Sequence, residues 1–191
     1  MALTKNQKSI IKDLHNYVKK ECIGFSDDDV FKNHVLGVKN YAVSLAKAYR
    51  ADEFIVTIAS YLHDLYYIQT HNHEIHEIKG SEIANKLLKK YHINENEIEL
   101  ISKCILHHRG SKESKRESIE EKIVACADAM DHINRFQHMF YRASQKWSYE
   151  EAVKWMKAKI ERGWKKLELK KAKEMVKDKY AAAMLSFSAD S

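Results

Sequence analysis

Proline is absent from this 191-residue sequence, and glycine occurs only five times. Average usage of about 5% would give roughly nine prolines, so nothing in the chain is expected to interrupt long helices. The Asn-Gly and Asp-Gly pairs that favour tight hairpin turns are missing as well. Apolar residues instead recur at three- and four-residue steps in nearly every segment. The sequence therefore predicts an all-α fold.

Cysteine and long apolar runs are also scarce. The three cysteines, Cys22, Cys104 and Cys126, form no C-x-x-C pair, and we interpret them as reduced core residues. No run of about 18 apolar residues occurs that could cross a bilayer. The first residues, MALTKNQKSIIKDLH, lack the apolar core of a signal peptide. We expect a cytoplasmic protein.

Positive charge is concentrated near the end of the chain. The net charge is +6, and residues 154–179 hold eleven Lys or Arg residues against four acidic residues. An apolar stripe runs beside these lysines, and it consists of Val153, Met156, Ile160, Trp164 and Leu167. This pattern predicts a basic amphipathic helical segment that packs on the domain and exposes a solvated lysine face. Binding of the segment to nucleic acid, a membrane surface or an acidic partner is the alternative.

The apolar periodicity divides the chain into several predicted helices. A first helix covers residues 5–22 and closes near Gly24, and a second begins at Ser26 and the three aspartates that follow it. A polar stretch over residues 69–80, QTHNHEIHEIKG, predicts a loop. The other predicted helices cover residues 52–65, 80–91, 95–108, 118–140 and 149–183, and the last is broken near Gly163.

The segment YLHDLYY, residues 61–67, places a histidine and a carboxylate where an apolar helix ends. Four predicted helices share this feature, and the residues involved are His34, His63, Asp64, His107, His108 and Asp128. Burying several ionisable groups is costly unless they are paired or bind a metal. Imidazole and carboxylate together suit a divalent transition metal such as Mn, Fe, Co, Ni or Zn. The sequence therefore predicts a metal centre inside the bundle.

In order and context, these residues resemble the HD-domain metal-dependent phosphohydrolases over residues 26–140. His34 corresponds to the first ligand, His63 and Asp64 to the name-giving pair, and Asp128 in ACADAMD to the last ligand. HEIKGSEIANKLL, residues 76–88, and CILHHRG, residues 104–110, resemble the later histidine segments of the family. The resemblance implies an HD-domain helical bundle at residues 26–140, with an N-terminal helix at 1–25 packing on it and a C-terminal helical extension at 141–191.

The resemblance also implies a reaction, which is hydrolysis of a nucleotide or other small phosphate ester by a metal-activated water. Asp64 is the predicted catalytic residue, because it can bind the same ion as His63 and bridge to a second ion. His76 and His107, together with His108, would complete a second site, so we expect two ions. Glu74 and Glu77 are candidates for a proton shuttle. In the alternative interpretation, HNHEIHE is a solvated loop whose histidines, above all His71 and His73, bind metal adventitiously.

One segment departs from the family pattern. Many members continue the pair as Asp-Ile-Gly-Lys, whereas Leu65, Tyr66 and Tyr67 follow Asp64 here. The lysine that could hold a substrate phosphate is therefore missing. We expect another cation to replace it, and the candidates are Arg109, Lys112 and Arg135.

Two functions of other classes stay open beside the phosphohydrolase. The first is a di-iron oxygenase on the same scaffold. The second is a regulatory protein that keeps the metal as a structural clip and binds nucleic acid through its basic helix, although a structural site rarely needs six ligands. The expected partner is a small phosphorylated substrate. A membrane is not expected, while nucleic acid and an oligomeric state remain open.

Overall fold

A computed structural model of the chain describes residues 3–25, 30–109 and 115–187. Within these ranges the protein is all-α, as predicted, and no strand occurs. A π-helical turn, Phe31–Val35, leads directly into the second helix. The α-helices are α1 (Lys5–Phe25), α2 (Leu36–Tyr49), α3 (Glu53–Leu62), α4 (Leu65–Thr70), α5 (His76–Lys89), α6 (Glu95–Leu106), α7 (Ile119–Asn134), α8 (Phe136–Ser144), α9 (Tyr149–Lys166) and α10 (Lys170–Ser186).

Helix α7 lies at the centre of the bundle and packs against α2, α3, α6, α9 and α10. It begins with a capping box in which Ser118 and Glu121 satisfy each other's backbone N–H groups. Eleven of its sixteen residues are buried, including Asp128 and Asp131. A helix buried on several sides can hold carboxylates only if other groups compensate their charge. The centre of the bundle is therefore the place where partners of these carboxylates must lie.

Helix α3 brings the His63-Asp64 pair into this centre. It starts at the N-cap Asp52, whose side chain accepts hydrogen bonds from the backbone N–H groups of Phe54 and Ile55. All residues from position 54 to position 62 are buried. His63, which follows directly, has no exposed surface. Helix α1 packs against α3 and α4 from the other side, so the end of α3 is enclosed.

Several helix boundaries differ from the sequence prediction. Helix α4 extends to Thr70 and α5 begins at His76, so the predicted loop over residues 69–80 is confined to residues 71–75. The predicted helix over residues 118–140 is divided at Arg135 into α7 and α8. Helix α1 continues through Gly24. The predicted N-cap at residues 26–29 lies outside the described residues.

The predicted break near Gly163 was wrong, because α9 runs through this residue and ends at Lys166. A Cβ at position 163 would lie 3.7 Å from Ile133 of α7, which is an ordinary packing distance. The glycine therefore lies at the contact between α9 and α7 instead of ending a helix. The interruption falls at residues 167–169, where Leu167 and Leu169 are buried in an extended conformation.

Helix α9 packs on α7 and α8, and its buried residues are Ala152, Met156 and Ile160. Met156 and Ile160 belong to the apolar stripe that the sequence predicts. The three cysteines are buried free thiols, as predicted. Among the described helices, none combines the length and the apolar character that crossing a bilayer requires.

Candidate active site

Asp64 lies between two pairs of histidines. Its Oδ2 atom is 3.4 Å from Nε2 of His34 and 3.5 Å from Nε2 of His63. Its Oδ1 atom is 3.5 Å from Nε2 of His76 and 3.6 Å from Nε2 of His108. One carboxylate thus presents one oxygen to each histidine pair.

Local hydrogen bonds decide which nitrogen of these histidines carries the proton. In three of them, Nδ1 lies 2.6–2.9 Å from the backbone carbonyl oxygen of the residue three positions earlier. The hydrogen-bonded pairs are His63 with Ser60, His76 with His73 and His108 with Ile105. A carbonyl oxygen only accepts, so Nδ1 must be the donor in each ring. Each Nε2 atom therefore directs its lone pair toward Asp64. This is the tautomer that binds metals through Nε2.

The Nε2 atoms of each pair also lie close to one another. Nε2 of His63 is 3.2 Å from Nε2 of His34, and Nε2 of His76 is 3.3 Å from Nε2 of His108. Two lone pairs at this distance repel each other unless a proton or a cation lies between them. Neutral imidazoles and a carboxylate are ligands that divalent transition metals prefer. The donor atoms of this cluster therefore fit metal ions.

His34 is oriented by a carboxylate behind it. It lies in the π-helical turn before α2, and its Nδ1 atom is 2.7 Å from Oδ2 of Asp131. Burial lowers the pKa of His34, but the hydrogen bonds to Asp131 and Asp64 outweigh this effect and raise it to about 10. A Cβ at Gly37 would lie 2.0 Å from Oδ1 of Asp131, so the carboxylate can approach only because this residue has no side chain. A carboxylate on the far nitrogen of a ligand histidine is a common feature of metal sites.

Asp128 of α7 closes the cluster on the side of His34. Its Oδ1 atom is 3.7 Å from Nε2 of His34, and its Oδ2 atom accepts a hydrogen bond of 2.7 Å from the ammonium group of Lys166. Burial raises the pKa of Asp128, but Lys166 and the nearby histidines hold it well below its usual range. His132, one turn later on α7, has Nδ1 3.4 Å from Oδ1 of Asp128 and stacks on His34. Burial lowers the pKa of His132 well below its usual value.

The structure brings six of the seven predicted ligands together and places the seventh elsewhere. His107 follows the last residue of α6, and its Nδ1 atom is 2.7 Å from Oε1 of Glu121. Glu121 belongs to the capping box of α7, so His107 contributes to the start of that helix. Successive residues at a helix end point in different directions, so His107 and His108 do not face the same site. The six clustered residues are His34, His63, Asp64, His76, His108 and Asp128.

A cleft of about 380 Å³ opens onto the cluster, and α9 forms its opposite wall. The basic residues that line it are Arg109, Lys159, Arg162 and Lys166. Two of the three predicted phosphate-binding cations lie among the described residues, and of these Arg109 lines the cleft whereas Arg135 does not. Arg135 lies 3.8 Å from Oδ2 of Asp131, behind His34, and Lys112 lies outside the described residues.

The basic residues of α9 are functional candidates that the sequence prediction missed, as are Asp131 and His132 beside His34. A solvated lysine face was predicted for this segment, but the side chain of Lys166 is only 6% exposed and contacts Asp128. Burial and the nearby Lys166 and Arg162 lower the pKa of Lys159, although Asp128 and Asp64 act in the opposite direction. Their spacing, at positions 159, 162 and 166, places all three on one side of a helix and was the available signal.

Two further residues lie near the cleft. Glu77 is buried and lies 3.1 Å from Nη1 of Arg109, so it forms an ion pair. The ring of His73 stacks on Tyr67 at 3.8 Å between ring centroids and lines the cleft. His73 is thus an exposed loop residue that also forms part of the cleft wall.

Comparison with known proteins identifies related chains. The family model of the HD domain matches residues 31–133. An uncharacterized protein of Clostridium beijerinckii is 35% identical over 82 residues, which are 41% of this chain and 52% of that protein. This chain thus spans about half the length of the curated relative that it matches.

Three solved structures share the fold. An HD-superfamily hydrolase of Bacillus thuringiensis is 19% identical, with a TM-score of 0.73 over 95% of this chain and 94% of that chain. YpgQ of Bacillus subtilis, in complex with ADP, is 21% identical, with a TM-score of 0.72 over 95% of this chain and 93% of that chain. A predicted HD superfamily hydrolase from an uncultured Thermotogales bacterium is 22% identical, with a TM-score of 0.64 over 92% of this chain and 87% of that chain. Because the family model covers more than half of the chain and includes the residues from His34 to Asp128, the protein belongs to the HD-domain family.

Proposed function

We propose that this protein is a metal-dependent phosphohydrolase acting on a nucleotide. The observation that carries the proposal is the position of Asp64, between two histidine pairs and opposite a row of cations on α9. Metal ligands on one wall and basic side chains on the other suit a substrate whose reacting group is anionic. A phosphate ester is such a substrate.

The clustered residues divide into two sets of ligands that share Asp64. The first set consists of His34, His63, Asp128 and Oδ2 of Asp64, and the second consists of His76, His108 and Oδ1 of Asp64. Nitrogen and oxygen donors of this kind suit Mn, Fe, Co, Ni or Zn. When bound, such ions act as Lewis acids toward a phosphoryl group and lower the pKa of water.

The protein's own residues then position the substrate. Lys166 is held at Asp128, so its ammonium group lies where a phosphoryl oxygen would approach the first set of ligands. Lys159 and Arg162 bring further positive charge to the same wall. Burial lowers the pKa of Lys159, and repulsion from Lys166 and Arg162 lowers it further. An anion between them would relieve this repulsion. Arg109 supplies positive charge at the cleft near the second set.

The nucleotide part of the proposal is supported by a protein of the same fold. YpgQ of Bacillus subtilis, whose TM-score to this chain is 0.72, was solved in complex with ADP. The cleft of about 380 Å³ is within the range of small-molecule sites, which is about 300–1,000 Å³. We therefore expect nucleotides among the substrates.

A panel of phosphorylated compounds tests the proposal. Metal-loaded protein is incubated with nucleoside mono-, di- and triphosphates, sugar phosphates and p-nitrophenyl phosphate, and released phosphate and nucleoside are measured. Asp64→Ala should abolish turnover, whereas His92→Ala, a substitution in the turn after α5, should not change it. Full turnover by purified Asp64→Ala would contradict the assignment. Oxygen uptake by iron-loaded protein without phosphate release would favour the oxygenase instead.

Metal analysis tests the number of ions. We expect His76→Ala to reduce bound metal from about two equivalents per chain to about one, because the second set loses a ligand. His73→Ala is the matched control, since its Nδ1 and Nε2 atoms are not part of the Asp64 cluster. A single equivalent in fully loaded wild-type protein would contradict the two-ion arrangement.

A further inference from the structure

Four cleft-lining residues lie along one side of α9. Trp155, Lys159, Arg162 and Lys166 follow one another at four-, three- and four-residue steps, which places them on the same side of an α-helix. At the rise of an α-helix, the axial distance from Trp155 to Lys166 is about 16 Å. The row is therefore much longer than a single phosphate group.

The two ends of this row differ in chemistry. Lys166 contacts Asp128 at 2.7 Å, so this end lies at the proposed metal site. Trp155 forms the other end, and the ammonium group of Lys159 lies 5.6 Å from the centroid of its ring. Positive charge thus separates the metal site from an aromatic surface. A molecule that fills the row must be anionic in the middle and apolar at one end.

A second indole extends the aromatic end toward solvent. Trp147, in the connection between α8 and α9, contacts Trp155 with ring centroids 5.2 Å apart and ring planes tilted by 58°. The side chain of Trp147 is 43% exposed, so one side of its ring remains accessible to solvent. Nucleobases stack on aromatic side chains of this kind, and nearby cations strengthen the interaction with the ring system. The aromatic end therefore suits a planar base.

We propose that Trp155, with Trp147 beside it, binds the nucleobase of a substrate that carries more than one phosphate. The phosphates would lie along Lys159 and Arg162, with the reacting phosphoryl group at Asp64 and Lys166. The position of the reacting group rests on the proposed function. Binding of the base does not rest on the proposed function, because stacking on an indole is independent of hydrolysis.

Binding measurements on metal-loaded protein test this subsite. Titration calorimetry compares ADP with inorganic pyrophosphate, which has the phosphates but no base. We expect Trp155→Ala to raise the Kd of ADP by about tenfold and to leave the Kd of pyrophosphate unchanged. Trp147→Ala should have a smaller effect in the same direction, and Trp155→Phe, which keeps an aromatic ring, should retain most of the affinity. Tyr141→Ala, an exposed aromatic residue on α8, is the matched control and should bind ADP like the wild type.

The possible outcomes separate the subsite from the proposed reaction. If ADP binding depends on Trp155 while the wild type releases no phosphate, the subsite stands and the proposed hydrolysis fails. If the wild type hydrolyses ADP and Trp155→Ala retains both its KM and its Kd for ADP, the subsite is overturned. Equal losses of ADP and pyrophosphate binding would also overturn it, because Trp155 would then support α9 without contacting a base. Thermal unfolding of each variant checks its fold.

Discussion

Gly37 is the residue that allows Asp131 to reach His34, and an alanine there is expected to disturb both. The added Cβ would lie 2.0 Å from Oδ1 of Asp131. Overpacking of this kind costs about 1–3 kcal/mol. The displaced carboxylate would no longer hold Nδ1 of His34, so metal affinity should fall as well. Thermal unfolding with and without metal measures both effects.

Gly163→Ala is the matched control for this substitution. Gly163 also lies within a helix, but a Cβ there would meet Ile133 at an ordinary distance of 3.7 Å. Replacing a glycine in a compatible helix position stabilises a protein by about 0.4–1 kcal/mol. We expect an unchanged or higher unfolding temperature. If Gly37→Ala matched the wild type in stability and metal content, the close approach of Asp131 would have no functional role.

His107 and His108 are adjacent, and the structure predicts different consequences for their loss. His107→Ala removes the hydrogen bond to Glu121 at the start of α7, which should lower the free energy of unfolding by about 1–3 kcal/mol without changing metal content. His108→Ala removes a ligand of the second set and should release about one equivalent of metal. Metal analysis after dialysis, together with denaturant unfolding, separates the two. The opposite pattern would reverse the assignment of the ligands.

At the scale of helices, a single arginine joins the segment that carries His108 to the C-terminal helices. Arg116 donates from Nε to the carbonyl oxygen of His107 at 2.8 Å and from Nη2 to that of Arg109 at 3.3 Å. Its Nη1 atom pairs with Glu168, in the connection between α9 and α10. One buried guanidinium group thus fixes the position of His108 relative to α9.

We expect Arg116→Ala to weaken metal binding by the second set and to raise KM for a phosphorylated substrate. The reason is that residues 107–109 lose two backbone hydrogen bonds and their connection to Glu168. Lys115→Ala is the matched control, because Lys115 is adjacent and its side chain is 88% exposed. Metal titration and steady-state kinetics are the measurements. Wild-type values for Arg116→Ala would show that residues 107–109 and the connection between α9 and α10 hold their positions independently.

Sequence periodicity predicted the helices and most of the residues that cluster around Asp64 for the same physical reason. His34, His63 and Asp128 are ionisable residues on apolar helix sides, and such residues are conspicuous against their neighbours. Asp131 and His132 escaped prediction because α7 is buried on nearly every side and offers no polar side for comparison.

The role of the α9 cations was missed for a different reason, although their spacing places them on one side of the helix. Their side chains continue a lysine-rich pattern that is usually solvated. Whether they reach the site depends on how closely α9 packs on α7, and spacing along the sequence does not encode that distance. The same limitation applies to the choice between His107 and His108, which depends on the direction of the chain after α6.

At the scale of the whole molecule, the fold divides the basic C-terminal segment into two parts. Lys159 and Lys166 of α9 face the cleft, whereas Lys170, Lys171 and Lys177 of α10 are exposed. The excess of positive charge in this segment therefore has two different environments. Only the part on α9 is positioned to contact a substrate of the proposed site.

Charge neutralisation on the two helices should consequently have different effects. Replacing Lys170, Lys171 and Lys177 with glutamine should leave the turnover of a small phosphate ester unchanged. Lys159→Gln should raise KM by about tenfold, which corresponds to roughly 1.4 kcal/mol, and make it less dependent on salt. Steady-state kinetics at low and high ionic strength measure the turnover of the α10 variant and the KM of Lys159→Gln. Loss of turnover in the α10 variant would show that the exposed lysines also contribute.

The shared carboxylate of Asp64 has a consequence for metal selection. Because its two oxygens face different histidine pairs, an ion bound on one side would change the orientation and charge of the ligand available to an ion on the other. Thermodynamic linkage requires this influence to be reciprocal, so each ion alters the affinity of the other by the same factor. In a mixture of metals, the identity of the ion in one position would therefore bias the choice in the other. The two positions would acquire their metals as a jointly selected pair.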